Sequence, residues 1–313
     1  MGKWLQVISS VALCTQCLHA IADSQIEKGA DRPLKVLMIG NSFSICCLWQ
    51  TPQIADAYGY KLDLASLYIG GCSLERHWQN IERARTEPNF KPYRYDRISE
   101  GRRTADNQPA NIPESLKSEQ WDIVTIQQCS HLSWDAQSYR PFGDKLVKTI
   151  RELAPGAEIL VQETWSYPPW DKRLAEFGFD QVEMYAKLHD AYAAFAGEYG
   201  FRIIPTGTAA EFCPDRNRLF TEPDFHFNKL DGEYLQGLVW AGTLFGLEKV
   251  GANPCRYVPS GIARDRAQIL WRSAVDAVKA ASLRNGAEKR NASCVPRCPH
   301  VPAATRMSCV CSQ

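Results

Sequence analysis

Short apolar runs alternate with longer amphipathic segments along most of the chain. Five runs of mainly apolar residues have the length of buried strands, and they span residues 34–39, 61–69, 121–126, 157–164 and 201–205. Apolar residues recur with helical spacing between these runs and again at 230–245 and 264–283. Strands that alternate with helices in this way form parallel sheets with helices on both faces. The pattern therefore predicts an α/β fold, a three-layer α/β/α sandwich around a central, mainly parallel five-stranded sheet.

Two segments depart from this alternation. Residues 85–113 contain four prolines and a polar stretch, Tyr93 to Asp96, that is typical of an edge hairpin or a lid. We expect an insertion of about these residues near the mouth of a site. Residues 285–313 are polar and rich in Cys and Pro without periodicity, so they predict a poorly ordered tail. Because no repeat or Gly/Ser linker divides the rest, residues 33–284 are expected to form one domain.

The first 22 residues have the features of a secretory signal peptide. Lys3 provides a positive start, residues 4–13 are mainly apolar, and Ala20-Ile21-Ala22 has the small residues that signal peptidase recognises. Cleavage is expected after about Ala22, which predicts a secreted or periplasmic protein. A buried N-terminal helix is the alternative. The apolar run is too short and too interrupted to span a bilayer, so stable membrane insertion is not expected.

Charge and cysteine content narrow the classes of partner and cofactor. The chain has 36 Lys and Arg against 35 Asp and Glu, and this balance argues against a nucleic-acid binder, which needs a basic face. The 12 cysteines are many for this length, and an oxidising compartment would permit disulfides. The cysteines after residue 293 have a spacing that matches structural zinc sites poorly. No nucleotide-binding loop or set of metal ligands is evident, so we expect no cofactor and no metal.

Polar residues and glycines follow the predicted strands where each strand ends. Gly40-Asn41-Ser42 follows the first strand, Gly70-Gly71 the second and Gln127-Gln128 the third, while His226 comes after the last strand. Ligands bind beyond the carboxyl ends of the strands in open α/β sheets, so these residues predict a catalytic site. Each also has a structural interpretation: a helix cap at Asn41 or Ser42, tight turns at the glycines, hydrogen bonds to loop backbone from the glutamines, and a structural histidine.

Together these motifs resemble those of the SGNH (GDSL-like) hydrolase superfamily, most closely its secreted bacterial branch, which is catalogued mainly as a domain of unknown function. The resemblance extends from about Leu34 to Gly246. It is carried by Ile39–Ser44, Leu67–Trp78, Trp121–Ser130, Glu163–Tyr167 and His226-x-Asn228 before Gly232-x-Tyr234-Leu235. It implies an SGNH/flavodoxin-like sandwich and a serine ester hydrolase that needs no cofactor.

The resemblance also implies the catalytic groups. Ser42 would be the nucleophile and His226 the general base, since a serine hydroxyl attacks well only when a base takes its proton. The family usually has an acidic residue three positions before the histidine, where this chain has Pro223. We expect Asp224 to orient the His226 ring, with Glu222 or a backbone carbonyl as the alternatives.

The implied oxyanion hole consists of the backbone N–H groups of Ser42 and Gly71 and one side-chain amide. The family usually supplies an Asn in its third block, whereas this chain has Gln127 and Gln128. We expect Gln128 to be the donor. Cys129 follows at the same edge, and two alternatives involve it: a thiol nucleophile paired with the histidine, or a disulfide with Cys72.

Four residues near these motifs are expected to contact the substrate: Asn41, His77, Trp165 and Tyr167. Aromatic rings stack on sugar faces, so the aromatic loop and the resemblance together suggest a carbohydrate O-acetylesterase acting on a small-molecule or polysaccharide ester. A hydrophobic cover over the sheet is the alternative for the rings. The rival function is a catalytically degenerate SGNH-like protein that binds glycan, because the acid and oxyanion positions both depart from the family pattern.

Overall fold

The computed structural model describes residues 32–246 and 256–293, and its centre is a seven-stranded sheet with the order β4-β3-β2-β1-β5-β6-β7. The strands are β1 (Leu34–Gly40), β2 (Leu62–Tyr68), β3 (Tyr93–Ser99), β4 (Arg102–Ala110), β5 (Ile123–Ile126), β6 (Glu158–Gln162) and β7 (Arg202–Ile204). All pairings among β1, β2, β5, β6 and β7 are parallel, whereas β3 and β4 pair antiparallel. The α/β fold class is therefore confirmed.

The predicted number of five strands is wrong, because β3 and β4 add a hairpin at one edge of the sheet. Both strands come from the segment expected to be an insertion. Their sequence is poor in apolar residues, and β4 is exposed along most of its length. Edge strands tolerate such polar sequence, including Pro109, because one of their sides needs no ladder hydrogen bonds.

Ten α-helices in the described residues flank the sheet. They are α1 (Ser42–Ile45), α2 (Cys47–Ala57), α3 (Leu74–Thr86), α4 (Ile112–Lys117), α5 (Phe142–Leu153), α6 (Arg173–Phe177), α7 (Gln181–Tyr199), α8 (Thr206–Phe212), α9 (Asp231–Phe245) and α10 (Arg264–Ser293). Two short 3₁₀ helices span Ala136–Tyr139 and Arg216–Leu219. Helices α2, α8, α9 and α10 pack in one group, and α3, α4 and α5 pack in another. No helix in these two stretches of chain is both long and apolar enough to cross a membrane.

Helix α9 is the most deeply buried helix and follows the loop that carries His226. Every residue from Asp231 to Phe245 is buried, as expected for a helix whose apolar residues surround its axis. It packs between α2 and α10. The loop before it is therefore anchored on a rigid element.

Helix α10 continues to Ser293, beyond the end near Leu283 that its apolar spacing predicts. The start of the expected tail at residue 285 is therefore helical. The rest of that tail, residues 294–313, lies outside the described residues, as does the expected signal peptide at residues 1–22.

Candidate active site

The carboxyl ends of the parallel strands meet at one edge of the sheet. Gly40 at the end of β1 pairs with Tyr68 at the end of β2, and Ile39 pairs with Ile126 at the end of β5. The loops after these strands therefore start side by side. This register brings the predicted serine and glycine motifs together.

Ser42 is the first residue of α1 and sits on a tight turn after β1. Asn41 caps the helix, since its Oδ1 accepts a hydrogen bond from the backbone N–H of Phe43 at 3.1 Å. The Ser44 hydroxyl donates to the carbonyl of Asn41 at 3.0 Å. A Cβ atom on Gly40 would lie 2.2 Å from Ser44 Oγ, so a larger residue there would displace this hydroxyl from the Asn41 carbonyl. Asn41 is thus the helix cap, which was the structural interpretation of this motif. Ser42 follows as the first helical residue, and its side chain takes no part in the cap.

His226 and Asp224 meet Ser42 in a hydrogen-bonded row. His226 Nε2 lies 2.9 Å from Ser42 Oγ, and His226 Nδ1 lies 2.8 Å from Asp224 Oδ1. The carboxylate accepts only, so the ring donates from Nδ1 and its Nε2 is free to accept the serine proton. Glu222 makes no hydrogen bond to the ring within the described part of the chain.

The Asp224 carboxylate is held in its ionised form. Partial burial alone would raise its pKa, but hydrogen bonds from the backbone and ring of His226 and from the Phe225 backbone outweigh burial and lower the pKa. Its Oδ1 accepts the N–H groups of Phe225 at 2.7 Å and His226 at 3.0 Å. The carboxylate therefore fixes both the ring and the backbone that carries the ring.

Two tryptophans hold the same loop from the other side. The indole N–H of Trp170 donates to the carbonyl of Asp224 at 3.2 Å, and that of Trp165 donates to the carbonyl of Phe225 at 3.1 Å. The sequence alone did not indicate this role. The only signal was that Trp165 and Trp170 occur in the loop after the fourth predicted strand.

Trp165 is buried between two phenylalanine rings. The rings of Phe43 and Phe227 stack on it with centroid distances of 4.0 and 3.7 Å. Two rings at such distances must cover opposite faces of the indole. Trp165 is 1% exposed, so the expectation that it stacks on a sugar is wrong, and the hydrophobic cover is the correct interpretation.

The other three residues expected to contact substrate are also inaccessible. Asn41, His77 and Tyr167 are at most 1% exposed. Tyr167 donates from its hydroxyl to Ser130 Oγ at 2.9 Å, and His77 Nδ1 lies 2.8 Å from the Tyr93 hydroxyl. Burial, with a smaller contribution from nearby Arg76, lowers the pKa of His77 to about 3, so this ring is neutral and structural.

Two backbone N–H groups at the expected oxyanion hole are available. Ser42 occupies the first position of α1, where no helical carbonyl can accept its N–H. Gly71 has a φ of +61°, a conformation that favours glycine. Neither N–H has an acceptor among the described residues.

Gln128 does not have the donor geometry that the sequence suggested. Its Nε2 donates to both the carbonyl and the hydroxyl of Ser138 at 3.0 Å, so both hydrogens are used. Its Oε1 accepts the backbone N–H groups of Leu74 at 3.1 Å and Cys129 at 2.9 Å. The side chain therefore ties the loop after β5 to the start of α3 and to the 3₁₀ helix Ala136–Tyr139. Gln127 is also engaged, since its Nε2 donates to Asn41 Oδ1 at 2.6 Å.

The two cysteines at this edge are free thiols. Burial raises the pKa of both Cys72 and Cys129 to about 12, so neither is a thiolate near neutral pH. The imidazole nearest to the Cys129 sulfur is that of His131 at 3.6 Å, and His226 contacts Ser42 instead. The thiol mechanism therefore has no geometric support. Within residues 32–246 and 256–293, no group of three His, Cys, Asp or Glu side chains is arranged to hold a metal ion.

Comparison with known proteins gives a family and a fold. The family model "Domain of unknown function (DUF4886)" matches residues 35–277. A DUF4886 family protein from Bacteroides uniformis is 29% identical, with a TM-score of 0.70 over 79% of this chain and 95% of that one. A protein from Slackia heliotrinireducens described as a candidate SGNH hydrolase is 20% identical, with a TM-score of 0.51 over 68% of this chain and 100% of that one. The fold is thus the SGNH-like fold. No curated protein matches the sequence.

Proposed function

The chain belongs to the DUF4886 family, and we propose that it is a serine hydrolase that cleaves ester bonds by acyl transfer. One observation carries this proposal: Ser42, His226 and Asp224 form a continuous hydrogen-bonded row at the carboxyl edge of the sheet, with distances of 2.9 and 2.8 Å. Nucleophile, base and orienting acid are the three groups that acyl transfer through serine requires.

The reaction starts when Ser42 Oγ attacks the ester carbonyl and His226 Nε2 takes the hydroxyl proton. The new C–O bond turns the carbonyl oxygen into an oxyanion, which the N–H groups of Ser42 and Gly71 stabilise. Collapse of this intermediate breaks the bond to the alcohol, and the imidazolium returns its proton to the leaving oxygen. Water then attacks the acyl-enzyme, again with His226 as base, and releases the carboxylic acid and free Ser42.

Asp224 stabilises the imidazolium that forms in each half-reaction. Its lowered pKa keeps the carboxylate ionised, so a negative charge faces Nδ1 when the ring becomes positive. Holding the ring by Nδ1 also prevents the tautomer that would present an N–H to the serine. The rival function, a degenerate protein that binds glycan without catalysis, would gain support if no carboxylate reached the ring. The 2.8 Å contact with Asp224 favours the enzyme.

For the substrate we propose an O-acetyl ester of a carbohydrate, as the family resemblance suggests. The aromatic-loop argument for a sugar now depends on Trp170, since Trp165 and Tyr167 are buried. Trp170 is half-buried and its indole N–H binds the Asp224 carbonyl, so the exposed part of its ring lies close to the proposed acid. Secretion with cleavage after Ala22 belongs to the same proposal, and N-terminal sequencing of the exported protein tests it.

The deciding experiment is hydrolysis of 4-nitrophenyl acetate, with acetate release from acetylated polysaccharides measured in parallel. Ser42→Ala should lower kcat by on the order of 10⁴–10⁶. Ser282→Ala, which removes a hydroxyl bonded only to its own helix, is the matched control and should retain full activity. Activity that survives Ser42→Ala would exclude Ser42 as the nucleophile. A parent protein that binds acetylated glycan and hydrolyses no ester would establish the degenerate binding function instead.

A further inference from the structure

Arg173 is a cation one aromatic ring away from the proposed base. Its guanidinium carbon lies 4.0 Å from the ring centroid of Tyr167 and 3.8 Å from that of Phe225. The Phe225 ring is in turn 4.1 Å from the His226 ring. The proposed mechanism gives Arg173 no role, although its charge borders the reacting groups.

The guanidinium has hydrogen-bond donors to spare. Nε donates to Asp171 Oδ1 at 2.8 Å, Nη2 donates to Asp171 Oδ2, and Nη1 donates to the Tyr167 hydroxyl at 3.2 Å. Three of the five N–H groups therefore have partners, and the other two have no acceptor among the described residues. The Arg173 side chain is 26% exposed, so solvent or a ligand can reach it.

The unused N–H groups of the Arg173 guanidinium suit an acceptor with two oxygens. Asp171 occupies the edge formed by Nε and Nη2, and the Tyr167 hydroxyl takes one hydrogen of Nη1, so one hydrogen on each terminal nitrogen is unused. Planar guanidinium groups bind carboxylates through pairs of parallel N–H···O bonds. Asp171 and the two aromatic rings hold the guanidinium in a fixed orientation, which reduces the entropy lost when a ligand binds.

Arg173 also lies near the loop after β5. Ser130 on this loop accepts a hydrogen bond from the Tyr167 hydroxyl, which in turn accepts one from Arg173 Nη1. Burial lowers the pKa of the neighbouring His131, and the charge of Arg173 lowers it further.

We propose that Arg173 is a specificity-determining residue that binds a carboxylate of the substrate, so that the enzyme prefers esters bearing an acidic group close to the scissile bond. This inference rests on the proposed ester hydrolysis. An acetyl group has no carboxylate, so the proposed O-acetyl ester places the carboxylate on the alcohol half. A response to a carboxylate on the acyl half would replace the acetyl group of that proposal by an acidic acyl group, with the same recognition chemistry.

The test compares three chromogenic esters on the purified protein. They are 4-nitrophenyl acetate as the neutral ester, 4-nitrophenyl hemiglutarate with an acyl carboxylate, and 2-carboxy-4-nitrophenyl acetate with a carboxylate on the alcohol. Each kcat/KM is measured for the parent and for Arg173→Met, with Ser42→Ala protein as the blank. Comparing variant with parent on one ester cancels differences in leaving group. Lys172→Met, an exposed cation next in sequence, is the matched control.

We expect Arg173→Met to lower kcat/KM about 10- to 100-fold for at least one acidic ester and less than about threefold for the neutral ester. The acidic ester that responds identifies the half that carries the carboxylate. Lys172→Met should change all three by less than about threefold. Arg173→Lys should recover only part of the loss, since an ammonium lacks the planar fork.

Two results would overturn the inference about Arg173 without contradicting the proposed ester hydrolysis. Equal losses on neutral and acidic esters would mean that Arg173 only supports Phe225 and His226. Unchanged values on all three esters would mean that it binds no substrate group. In both cases Ser42-dependent hydrolysis of 4-nitrophenyl acetate would persist. If no ester is hydrolysed in a Ser42-dependent way, the proposed function itself fails and the inference fails with it.

Discussion

His226 Nε2 lies 2.9 Å from Ser42 Oγ, although 184 positions separate the two residues in the chain. Ser42 is fixed by the turn after β1. His226 lies on a loop that Trp165, Trp170 and the Asp224 carboxylate hold in place. The contact is thus a product of tertiary packing, and each interaction that maintains it has a measurable effect.

Asp224→Asn should lower kcat by up to about 10⁴-fold, because an amide can stabilise the wrong tautomer of His226. The Asp224 side chain is 57% exposed, so we expect a smaller loss of kcat than this upper value, which applies to a buried acid. Glu222→Gln is the matched control and should change kcat less than about threefold. A larger loss in Glu222→Gln than in Asp224→Asn would assign the acid to Glu222.

Trp170→Phe should lower kcat about two- to tenfold and lower the free energy of unfolding by no more than about 1.5 kcal/mol. The substitution keeps a ring and removes the one N–H that binds the Asp224 carbonyl, and a net hydrogen bond is worth about 0.5–1.5 kcal/mol. Steady-state kinetics and thermal unfolding of the same preparations measure both quantities. Trp49→Phe, at a 40% exposed tryptophan on α2, should change neither. An unchanged kcat in Trp170→Phe would show that the loop is held without this hydrogen bond.

Gln128→Leu should lower the free energy of unfolding by at least about 2 kcal/mol. The apolar side chain would leave the buried N–H groups of Leu74 and Cys129 without their acceptor, and each such group costs about 1–3 kcal/mol. Urea unfolding measures the change. Gln108→Leu on the exposed strand β4 is the control, with a change expected within about 0.5 kcal/mol. A stable Gln128→Leu protein would contradict the structural role assigned to this amide.

Glu233 should make stability depend on pH between about 4.5 and about 7. Burial raises the pKa of Glu233 to about 7, with nearby Lys229 opposing the shift. The folded state therefore holds this proton to higher pH than the unfolded state, whose ordinary value is 4.5. Folding stability falls as pH rises through this interval and stays lower above it.

Glu233→Gln cannot lose a proton, so it should be more stable than the parent at pH 8 and closer to it at pH 5. Urea unfolding at the two pH values gives the comparison. Asp190→Asn removes an exposed carboxylate from α7 and should leave the pH dependence unchanged. Equal pH dependence in the parent and in Glu233→Gln would show that another group is responsible.

The sequence was informative where burial imposes a pattern. Residues 34–39 are mainly apolar because β1 is buried along most of its length, and they fix the position of the turn Gly40-Asn41-Ser42 that follows. β3 and β4 were not counted as strands of the sheet because an edge hairpin needs little apolar sequence. Ser42, His226 and Asp224 were predicted as catalytic residues with the help of a family resemblance, and the structure brings the three together.

The function of a polar or aromatic side chain was harder to infer, because it depends on neighbours distant in sequence. Trp165 reads equally well as a sugar platform or as a core residue until Phe43 and Phe227 are found on its two faces. The donor hydrogens of Gln128 are free or used according to the position of Ser138. Arg173 carried no motif at all, since only folding places it over Phe225.

Base and acid lie on one short stretch of backbone, Asp224 to His226, and their mutual hydrogen bond stays within it. A displacement of this stretch as a unit would break the contact with Ser42 and the two tryptophan hydrogen bonds to the carbonyls of Asp224 and Phe225, while the imidazole would keep its tautomer and its counter-ion. Regaining the Ser42 contact would then need neither ring rotation nor proton exchange.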